Sequence, residues 1–419
     1  MKFRSIKGSR DILPEESHRW HAAEEAVRAV MQRFNYREIR TPVFEETALF
    51  ARSIGEFTDI VGKEMYTFLD RSGTSLTLRP EMTASVIRSY IQNNLGEREP
   101  LVKVFYVGPM FRQERPQAGR LRQFHQFGAE AIGGAAPEVD AEVIALSAEV
   151  YRSLGVKNYS VKINSVGCPN CRPAYKSTLQ AFLKGALADL SEESRRRFEQ
   201  NPLRILDSKD ENDRRLTAEA PLMKDHLCGE CADHFSALGR LLGRLAVPFE
   251  IDGRIVRGLD YYTKTAYEIT SGDLGSQDAL VGGGRYDLLV SELGGKETPS
   301  VGFAAGMERL MMALGTDAAP DDGPSPTVFL ASADERGRAW ALEEAMGLRR
   351  KGIASESDLL GRSLKAQMRE ADRQRARFVV IVGEKELALE EAVLKDMRSG
   401  EERAVRLDSL AEVLRDSLR

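Results

Sequence analysis

Residues 101–133 read LVKVFYVGPMFRQERPQAGRLRQFHQFGAEAIG, with an apolar run on each side of a charged segment. The two flanking runs predict strands that the charged segment joins as a hairpin. That segment contains a single acid, Glu114, and four arginines: Arg112, Arg115, Arg120 and Arg122. Guanidinium groups held at strand ends suit bidentate contacts with phosphate oxygens, although a solvated charged hairpin is the simpler alternative.

The composition is that of an ordinary globular protein, and it limits how the chain can bind a polyanion. The 419 residues, of which 42% are apolar and 30% charged, are enough for two or three domains. The 60 Lys and Arg are offset by 64 Asp and Glu, which gives a net charge of −4. Bulk charge therefore does not hold the chain to nucleic acid, and any phosphate binding has to be local.

Residues 1–17 contain basic side chains but no apolar core, so they do not predict a secretory signal. No run approaches the roughly 20 apolar residues that span a bilayer, and no membrane partner is expected. Four cysteines without a secretory context indicate a reducing compartment, so we expect a cytoplasmic protein.

The stretch Ser17–Phe34 has apolar residues at helical spacing and predicts an amphipathic helix. Residues 36–47 alternate like a strand, but Pro42 interrupts them. Proline cannot donate to a sheet, so this segment is expected at a sheet edge or at a subunit interface, unless it serves only core packing.

Later segments differ in character and predict separate domains. Strand-like runs recur up to residue 167, and residues 173–245 are helix-rich and highly charged. Strand patterning then resumes, which makes the charged segment an inserted helical domain. Residues 316–326, TDAAPDDGPSP, form the clearest linker, and beyond them strands and helices alternate as a small α/β domain.

The segment LRPEMTASVIRS, residues 78–89, places Glu81 and Thr83 at a turn between a strand and a helix. Either side chain can cap the helix, and a carboxylate with a hydroxyl can equally bind a ligand ammonium group. The local sequence leaves both interpretations open.

Two further segments combine glycine with charged or aromatic residues. Residues 254–269 place Arg257 and Gly258 just before Asp260, Tyr261 and Tyr262, although tyrosine pairs in strands more often serve packing.

Residues 280–290, LVGGGRYDLLV, lack the P-loop pattern, so their three glycines predict a bulge or a crowded backbone crossing. In residues 301–314, Arg309 lies one turn into a helix after a glycine-bearing strand. That position makes Arg309 a candidate phosphate ligand.

Two C-x-x-C pairs flank the helical insertion: Cys168 with Cys171, and Cys228 with Cys231. Paired knuckles of this kind indicate a structural Zn²⁺ that would join the two ends of the insertion. Reduced, buried thiols are the alternative.

Together these segments resemble the class II aminoacyl-tRNA synthetases, and among them the bacterial histidyl-tRNA synthetases. The segment around Pro42 is similar to the first, dimer-forming class motif, FRQER with its loop to the second, and GFAAGMERL to the third. RGLDYY and GGGRYD resemble two stretches peculiar to the histidine enzymes, and KGSRDILPEE also fits.

The resemblance implies an α+β fold: a class II antiparallel sheet flanked by helices, with a helical insertion and a C-terminal α/β anticodon-binding domain. We expect a catalytic core in two parts around the insertion, then a linker and the last domain: residues 1–167, 168–246, 247–315, 316–326 and 327–419.

The resemblance also implies a homodimeric ligase that uses ATP with Mg²⁺, L-histidine and tRNA(His). The alternative is a non-catalytic paralogue that binds histidine and regulates the first enzyme of histidine biosynthesis. Such paralogues typically lack the anticodon domain and lose phosphate-binding arginines, whereas this chain keeps Arg112, Arg257 and Arg309.

By resemblance, Arg112 holds the α-phosphate of ATP, Arg309 the γ-phosphate, and Arg257 is a catalytic arginine at the α-phosphate. Glu114 matches a further ATP-binding position. The residues that match histidine-binding positions are Glu81, Met82, Thr83, Arg112, Gln126, Glu130, Arg257, Tyr261 and Tyr262.

Among these, Glu81, Thr83 and Gln126 match residues that take the α-ammonium group, while Glu130 and Tyr262 match those that bind the imidazole nitrogens. Met82 departs from the many relatives that carry glycine there, and methionine adapts to irregular gaps. Arg115 and Gln117 lie where the family contacts the acceptor end of tRNA.

Overall fold

The computed structural model describes residues 3–55, 58, 60–117, 119–208, 210–256, 259–315 and 325–418. The chain divides into two compact units, Met1–Ala318 and Ala319–Arg419. Among the described residues, no helix combines the length and the apolar character that crossing a membrane requires.

Strands and helices alternate irregularly in the first unit. Its described strands are β1 (Arg37–Glu38), β2 (Phe44–Glu46), β3 (Tyr66–Leu69), β4 (Ser75–Leu78), β5 (Val102–Phe111), β6 (Gln123–Ile132), β7 (Ser160–Ser165), β8 (Phe249–Ile251), β9 (Thr263–Thr270), β10 (Ala279–Arg285) and β11 (Ser300–Gly306). Its described α-helices are α1 (Pro14–Arg33), α2 (Thr47–Ile54), α3 (Thr83–Gln92), α4 (Leu95–Arg98), α5 (Pro137–Ser153), α6 (Arg172–Leu183), α7 (Glu192–Gln200), α8 (Glu211–Leu216), α9 (Gly229–Arg244), α10 (Leu289–Glu292) and α11 (Met307–Leu314).

The main sheet of this unit has the strand order β1-β5-β6-β11-β10-β9-β7-β8. Its interior pairs are antiparallel, and the edge pairs β1–β5 and β7–β8 are parallel. The predicted hairpin is confirmed, because β5 and β6 pair from Val102 with Ile132 to Phe111 with Gln123. The arginines of residues 112–122 lie on its connecting loop.

The two faces of the main sheet have different roles. Successive side chains of a strand point to opposite faces. On β6, Phe127, Ala129 and Ala131 join the large core formed with α1 and α5. The alternate position Glu130 points to the other face, where Tyr261 and Tyr262 lie in a second buried cluster.

The predicted N-terminal helix is present, and α1 buries the expected apolar face, which includes Trp20, Val27 and Met31. It begins at Pro14, three residues before the predicted start at Ser17. Proline lacks the amide hydrogen that a helix leaves unused at its first position, so it favours a helix start there.

The segment 36–47 forms two short strands, and the predicted interruption at Pro42 is confirmed. β1 pairs with β5 in the main sheet, whereas β2 pairs with β4 in a separate three-stranded sheet of order β2-β4-β3. Pro42 lies between the two strands and has no amide hydrogen to continue a ladder.

The helices between β7 and β8 have a buried cluster of their own, which includes Tyr175, Leu179 and Ile205. The last of them, α9, also serves the main core, because Leu238 and Leu242 pack with the helices and strands of the main sheet. The insertion therefore shares a helix with the core.

The second unit is an α/β domain. Its described elements are β12 (Val328–Ser332), α12 (Glu335–Arg350), β13 (Ser355–Ser357), α13 (Leu364–Arg373), β14 (Phe378–Val382), α14 (Glu384–Ala388), β15 (Glu391–Asp396), β16 (Glu402–Arg406) and α15 (Leu410–Asp416). The strands β13, β12 and β14 are parallel, as the predicted alternation requires, and β15 and β16 add an antiparallel edge. Most of the predicted linker, residues 316–324, lies outside the described residues.

Candidate active site

Glycines form the floor of the candidate site, where β6, β11 and β10 lie side by side. A Cβ atom on Gly302 would lie 1.6 Å from Glu130 Oε2, and one on Gly283 would lie 2.6 Å from the Gly302 carbonyl oxygen. The ladder between β9 and β10 also shifts register between Gly284 and Arg285. Both interpretations of the glycine run, a crowded crossing and a bulge, are confirmed.

Glu130 is fully buried on this floor. Its carboxyl group accepts hydrogen bonds from the hydroxyl of Thr83, at 2.8 Å, and from the hydroxyl of Tyr286. Burial raises the pKa of Glu130 to about 8. At neutral pH the ligand-free pocket therefore holds a largely neutral carboxyl group.

Glu81 caps helix α3, as one of its two interpretations predicts. Its carboxylate accepts hydrogen bonds from the backbone amides of Thr83, at 2.7 Å, and Ala84, at 2.9 Å. Burial raises the pKa of Glu81 as well. The cap is compatible with a ligand role, because each carboxylate oxygen has a second lone pair. That ligand role stays a prediction.

Three tyrosines form one wall of the pocket. The ring centroids of Tyr261 and Tyr262 are 4.8 Å apart, and those of Tyr261 and Tyr286 are 5.6 Å apart. All three rings are at least nine-tenths buried. Tyr286 is not among the site residues predicted from the sequence, although it lies in the GGGRYD stretch.

A buried ion network fixes the turn that presents Tyr286. The fully buried guanidinium of Arg285 contacts Asp140 of α5, donates to Asp287 Oδ1 at 3.1 Å and donates to the Gly134 carbonyl at 2.8 Å. Although burial alone lowers the pKa of Arg285, the carboxylates of Asp140 and Asp287 raise it overall, so the guanidinium stays charged. The sequence gives no signal for Asp140, which lies 145 residues away.

The second half of the site is cationic. Arg112 donates from Nε to the Pro80 carbonyl at 2.8 Å, and its guanidinium lies 5.4 Å from the Phe124 ring centroid. Arg309 donates to the Ala279 carbonyl at 2.5 Å. Burial lowers the pKa of Arg309, and the charges of Arg120 and Arg112 lower it further.

Glu114 is the acid of this arginine cluster. Its Oε1 lies 3.7 Å from Arg112 and its Oε2 lies 3.4 Å from Arg120, and its side chain is only 14% exposed. Arg309 also interacts electrostatically with Glu114, Arg120 and Arg112. Three guanidinium groups near one carboxylate leave an excess of positive charge. The cluster is therefore suited to a polyanion such as a triphosphate.

Between the floor and the arginines, Gln126 lies on β6 opposite Gly108 and Gly306. Its Oε1 is buried and accepts no hydrogen bond from any described residue, which leaves it available to a ligand donor. Met82 packs into the buried cluster under the tyrosines and accepts a hydrogen bond from Thr41 Oγ1 at 3.0 Å.

The remaining predicted residues lie on the exposed hairpin loop or outside the residues that the structure describes. Arg115 and Gln117 are exposed on the hairpin loop. Arg257 and Gly258 lie outside the described residues, so the catalytic role of Arg257 stays a prediction.

Comparisons with known proteins match nearly the whole chain to one family. A family model described as histidyl-tRNA synthetase matches residues 8–310, and one described as an anticodon binding domain matches residues 328–417. The chain belongs to the histidyl-tRNA synthetase family.

Individual relatives agree with this assignment. The histidine–tRNA ligase of Chloroherpeton thalassium is 51% identical over 409 residues, which cover 96% of this chain and 95% of that protein. That of Desulforamulus reducens is 48% identical over 96% of this chain and 97% of that protein. The crystal structure of apo S. aureus histidyl-tRNA synthetase has a TM-score of 0.84 and 36% identity, over 99% of this chain and 100% of that chain.

The regulatory-paralogue alternative shares the histidyl-tRNA synthetase fold. A Bacillus halodurans C chain described as an ATP phosphoribosyltransferase regulatory subunit/histidyl-tRNA synthetase has a TM-score of 0.66 and 23% identity, over 91% of this chain and 98% of that chain. At that identity the likeness concerns the fold alone. The ligases, at about half identity over nearly full length, favour the enzyme.

The four cysteines that the sequence predicts as zinc ligands form a cluster outside the candidate active site. Their sulfur atoms all lie within 4.8 Å of one another. Cys168 Sγ is 3.6 Å from Cys171 Sγ and 3.9 Å from Cys228 Sγ, distances too long for disulfides. Four sulfurs around zinc, with bonds of about 2.3 Å, would be ~3.8 Å apart. The residues present therefore fit a tetrahedral Zn²⁺.

Proposed function

We propose that this chain is a histidine–tRNA ligase that activates L-histidine with ATP and transfers it to the 3′-terminal adenosine of tRNA(His). One observation carries the proposal: a buried carboxyl group and three tyrosines adjoin a cluster of arginines, of which Arg112 donates to the carbonyl of Pro80, the residue before Glu81. The first group suits an imidazole, and the second suits a triphosphate.

In the histidine pocket, a neutral imidazole presents one donor and one acceptor. Glu130 and the hydroxyl of Tyr262 serve these two nitrogens. The largely neutral carboxyl group of Glu130 can donate as well as accept, which suits an uncharged ligand ring. Glu81, Thr83 and the free Oε1 of Gln126 bind the α-ammonium group.

In the activation step, a carboxylate oxygen of histidine attacks the α-phosphorus of ATP. The bond between the α-phosphorus and the bridging oxygen breaks, and pyrophosphate leaves with the electron pair. Arg112 and Arg257 stabilise the negative charge at the α-phosphate, and Arg309 holds the γ-phosphate. Because no protein group forms a covalent bond, positioning and charge stabilisation supply the catalysis.

The family implies Mg²⁺ with the ATP, and Glu114 is the described acid that could help to hold it. Its buried Oε2 accepts no hydrogen bond from the described residues, although Arg120 lies nearby. Bound there, the ion would neutralise charge on the departing pyrophosphate.

ATP–pyrophosphate exchange with each of the twenty amino acids in turn tests the proposed function. We expect exchange with histidine alone, because a pocket of buried polar groups rejects ligands that leave those groups unpaired. If histidine binds but no amino acid supports exchange, the regulatory-paralogue alternative is correct.

The hairpin loop and the second unit serve tRNA. Arg115 and Gln117 contact the acceptor end, and the second unit binds the anticodon. Each unit has its own buried core, which supports treating residues 327–419 as a domain.

Deleting every residue after Pro326 is expected to leave histidyl-adenylate formation within about 2-fold of the full-length rate. Charging of tRNA should fall by at least ~100-fold, because the loss of one of two linked binding sites removes its contribution to avidity. Exchange and aminoacylation assays on the same preparation measure both effects. Equal charging with and without the second unit would refute the anticodon role.

The four cysteines hold a structural Zn²⁺. Protein purified without chelators is expected to contain about one zinc per chain, since structural sites bind tightly. Elemental analysis measures this content, with the Cys171→Ser/Cys231→Ser double variant as the matched control. Less than ~0.2 zinc per chain in the unaltered protein would favour reduced thiols instead.

The active protein is a cytoplasmic homodimer. The segment after Pro42 supports an interface there, because the small sheet exposes apolar side chains: Val43, Phe44, Phe68 and Leu69 are 40–69% exposed. Free cysteines and a tRNA substrate support the cytoplasm.

A further inference from the structure

The segment that carries Tyr261 and Tyr262 is hydrogen-bonded to Arg172, the residue that follows the first cysteine pair. Arg172 comes directly after Cys171 and begins helix α6. Its Nη2 donates to the backbone carbonyl of Tyr262, and its Nε donates to the carbonyl of Val166 at 3.2 Å. One guanidinium therefore joins the cysteine cluster to the backbone of an imidazole-binding tyrosine.

A residue of the second cysteine pair contacts the same segment. Glu230, which lies between Cys228 and Cys231, accepts a hydrogen bond from Lys264 Nζ at 2.6 Å. Lys264 has a left-handed backbone, with φ of 47°, at the irregular start of β9. A residue other than glycine keeps a left-handed backbone only where contacts with the surrounding structure stabilise that conformation.

Backbone hydrogen bonds complete this attachment. The amide of Val166 donates to the Lys264 carbonyl at 2.8 Å, and the amide of Lys264 donates to the Gly167 carbonyl at 2.9 Å. Residues just before Cys168 are thereby paired with residues just after Tyr262. Both cysteine pairs thus adjoin the strained start of β9.

The two side-chain contacts differ in strength. The Glu230 side chain is 77% exposed, so water and salt weaken its ion pair with Lys264. Arg172 is half-buried, so water competes less for its guanidinium than for the exposed Glu230 carboxylate. Charge-assisted hydrogen bonds to two carbonyls in such surroundings make Arg172 the stronger of the two contacts.

We infer that Arg172 is a positioning residue for histidine recognition: it fixes the backbone of Tyr262, and the four-cysteine cluster in turn fixes Arg172. This inference deepens the proposed function and rests on it. The insertion then has a part in amino acid selection in addition to any contact with tRNA. The hydrogen bonds of Arg172 go to the backbone carbonyls of Val166 and Tyr262, so it acts on recognition through Tyr262.

The test compares Arg172→Ala and Arg172→Lys in histidine-dependent ATP–pyrophosphate exchange. Arg172→Ala is expected to raise KM for histidine about 10- to 100-fold, because a displacement of the order of 1 Å has that effect on a positioned group. KM for ATP should stay within about 2-fold. Arg172→Lys should give an intermediate KM, since an ammonium group cannot reproduce the two-pronged geometry of a guanidinium.

Lys176→Ala is the matched control. Lys176 lies one turn further along α6, is half-buried and donates to the Glu199 carbonyl at 2.7 Å. Its removal should leave both KM values and the thermal midpoint unchanged.

Two results would overturn the inference. One is a histidine KM in Arg172→Lys and Arg172→Ala within about 2-fold of the unaltered protein. The other is a parallel rise in both KM values that follows a loss of thermal stability, which indicates a general structural role. If Arg172→Ala fails to fold, Arg172→Lys alone decides between these results.

A failure of the proposed function is distinguishable from a failure of the inference. If the proposed function is wrong, the unaltered protein itself shows no exchange with histidine. Calorimetric titration of histidine into the same three variants then measures the pocket directly. Unchanged dissociation constants in the two Arg172 variants would overturn the inference, and weakened binding confined to them would support it.

Discussion

Replacing Arg112 by alanine is expected to lower kcat for histidine-dependent ATP–pyrophosphate exchange by about 10²- to 10³-fold, or roughly 3–4 kcal/mol of transition-state stabilisation. The reason is preorganisation. A bond to the Pro80 carbonyl and the adjacent Phe124 ring hold the guanidinium before ATP arrives. Charge that develops at the α-phosphate is then stabilised without rearrangement of the site.

Arg152→Ala is the matched control for this prediction. Arg152 lies near the end of α5, is 71% exposed and pairs only with its helical neighbour Glu149 among the described residues. Such a pair contributes less than about 1 kcal/mol, so exchange should stay within 2-fold of the unaltered rate. An Arg112→Ala rate within about 3-fold of the unaltered rate would remove Arg112 from the chemistry.

Glu130→Gln is expected to raise KM for histidine by at least ~100-fold while KM for ATP changes little. The substitution keeps size but replaces one carboxyl oxygen by an NH2 group, which donates and cannot accept. Either the Thr83 or the Tyr286 hydroxyl then loses its acceptor, and a pocket with a mismatched buried partner binds imidazole poorly. Steady-state exchange at varied histidine and ATP measures the two constants separately. A histidine KM within a few-fold of the unaltered value would contradict the assignment.

The same variant reports on the ionisation of Glu130. An unfolded glutamate has a pKa near 4.3, and burial raises the pKa of Glu130 to about 8 in the folded protein. The folded state therefore binds more protons in this interval, so the free energy of unfolding should fall as pH rises from about 4.3 to about 8. Glu130→Gln lacks this contribution.

Urea unfolding of ligand-free protein between pH 5 and 9 measures the difference. The stability of Glu130→Gln relative to the unaltered protein should increase with pH up to about 8 and then level off. Glu138→Gln is the matched control, because Glu138 is exposed in the first turn of α5. Parallel curves for all three proteins would show that Glu130 does not titrate in this interval.

Features that depend on neighbouring residues could be predicted from the sequence. Apolar runs on each side of a charged segment predicted the β5–β6 hairpin, helical spacing predicted α1, and a strand running into a helix placed Arg309. Each of these rests on residues within one or two elements, where spacing determines which side chains share a face. The error at Pro14 concerns one turn of helix, since a helix start depends on capping as well as on periodicity.

Contacts between distant residues could not be predicted in this way. Tyr286 reaches Glu130 across 156 positions, and Arg285 reaches Asp140 across 145. Spacing along one element carries no information on which strands become neighbours, so neither partner was evident. The resemblance supplied the roles of Glu130 and Tyr262, but it did not supply Tyr286 or the attachment through Arg172.

The backbone of Gly302, which lies against the Glu130 carboxyl group, has a consequence for redesign of the substrate range. Behind the Glu130 side chain the floor consists of glycine main-chain atoms, so no substitution of these glycines can deepen the pocket, and an added side chain would collide with Glu130 or with neighbouring backbone. Enlarging the pocket for bulkier imidazole amino acids has to proceed sideways, by trimming Tyr261 or Tyr286. Selections that randomise the glycines should yield only inactive chains, whereas the tyrosine wall is where altered substrate preference can arise.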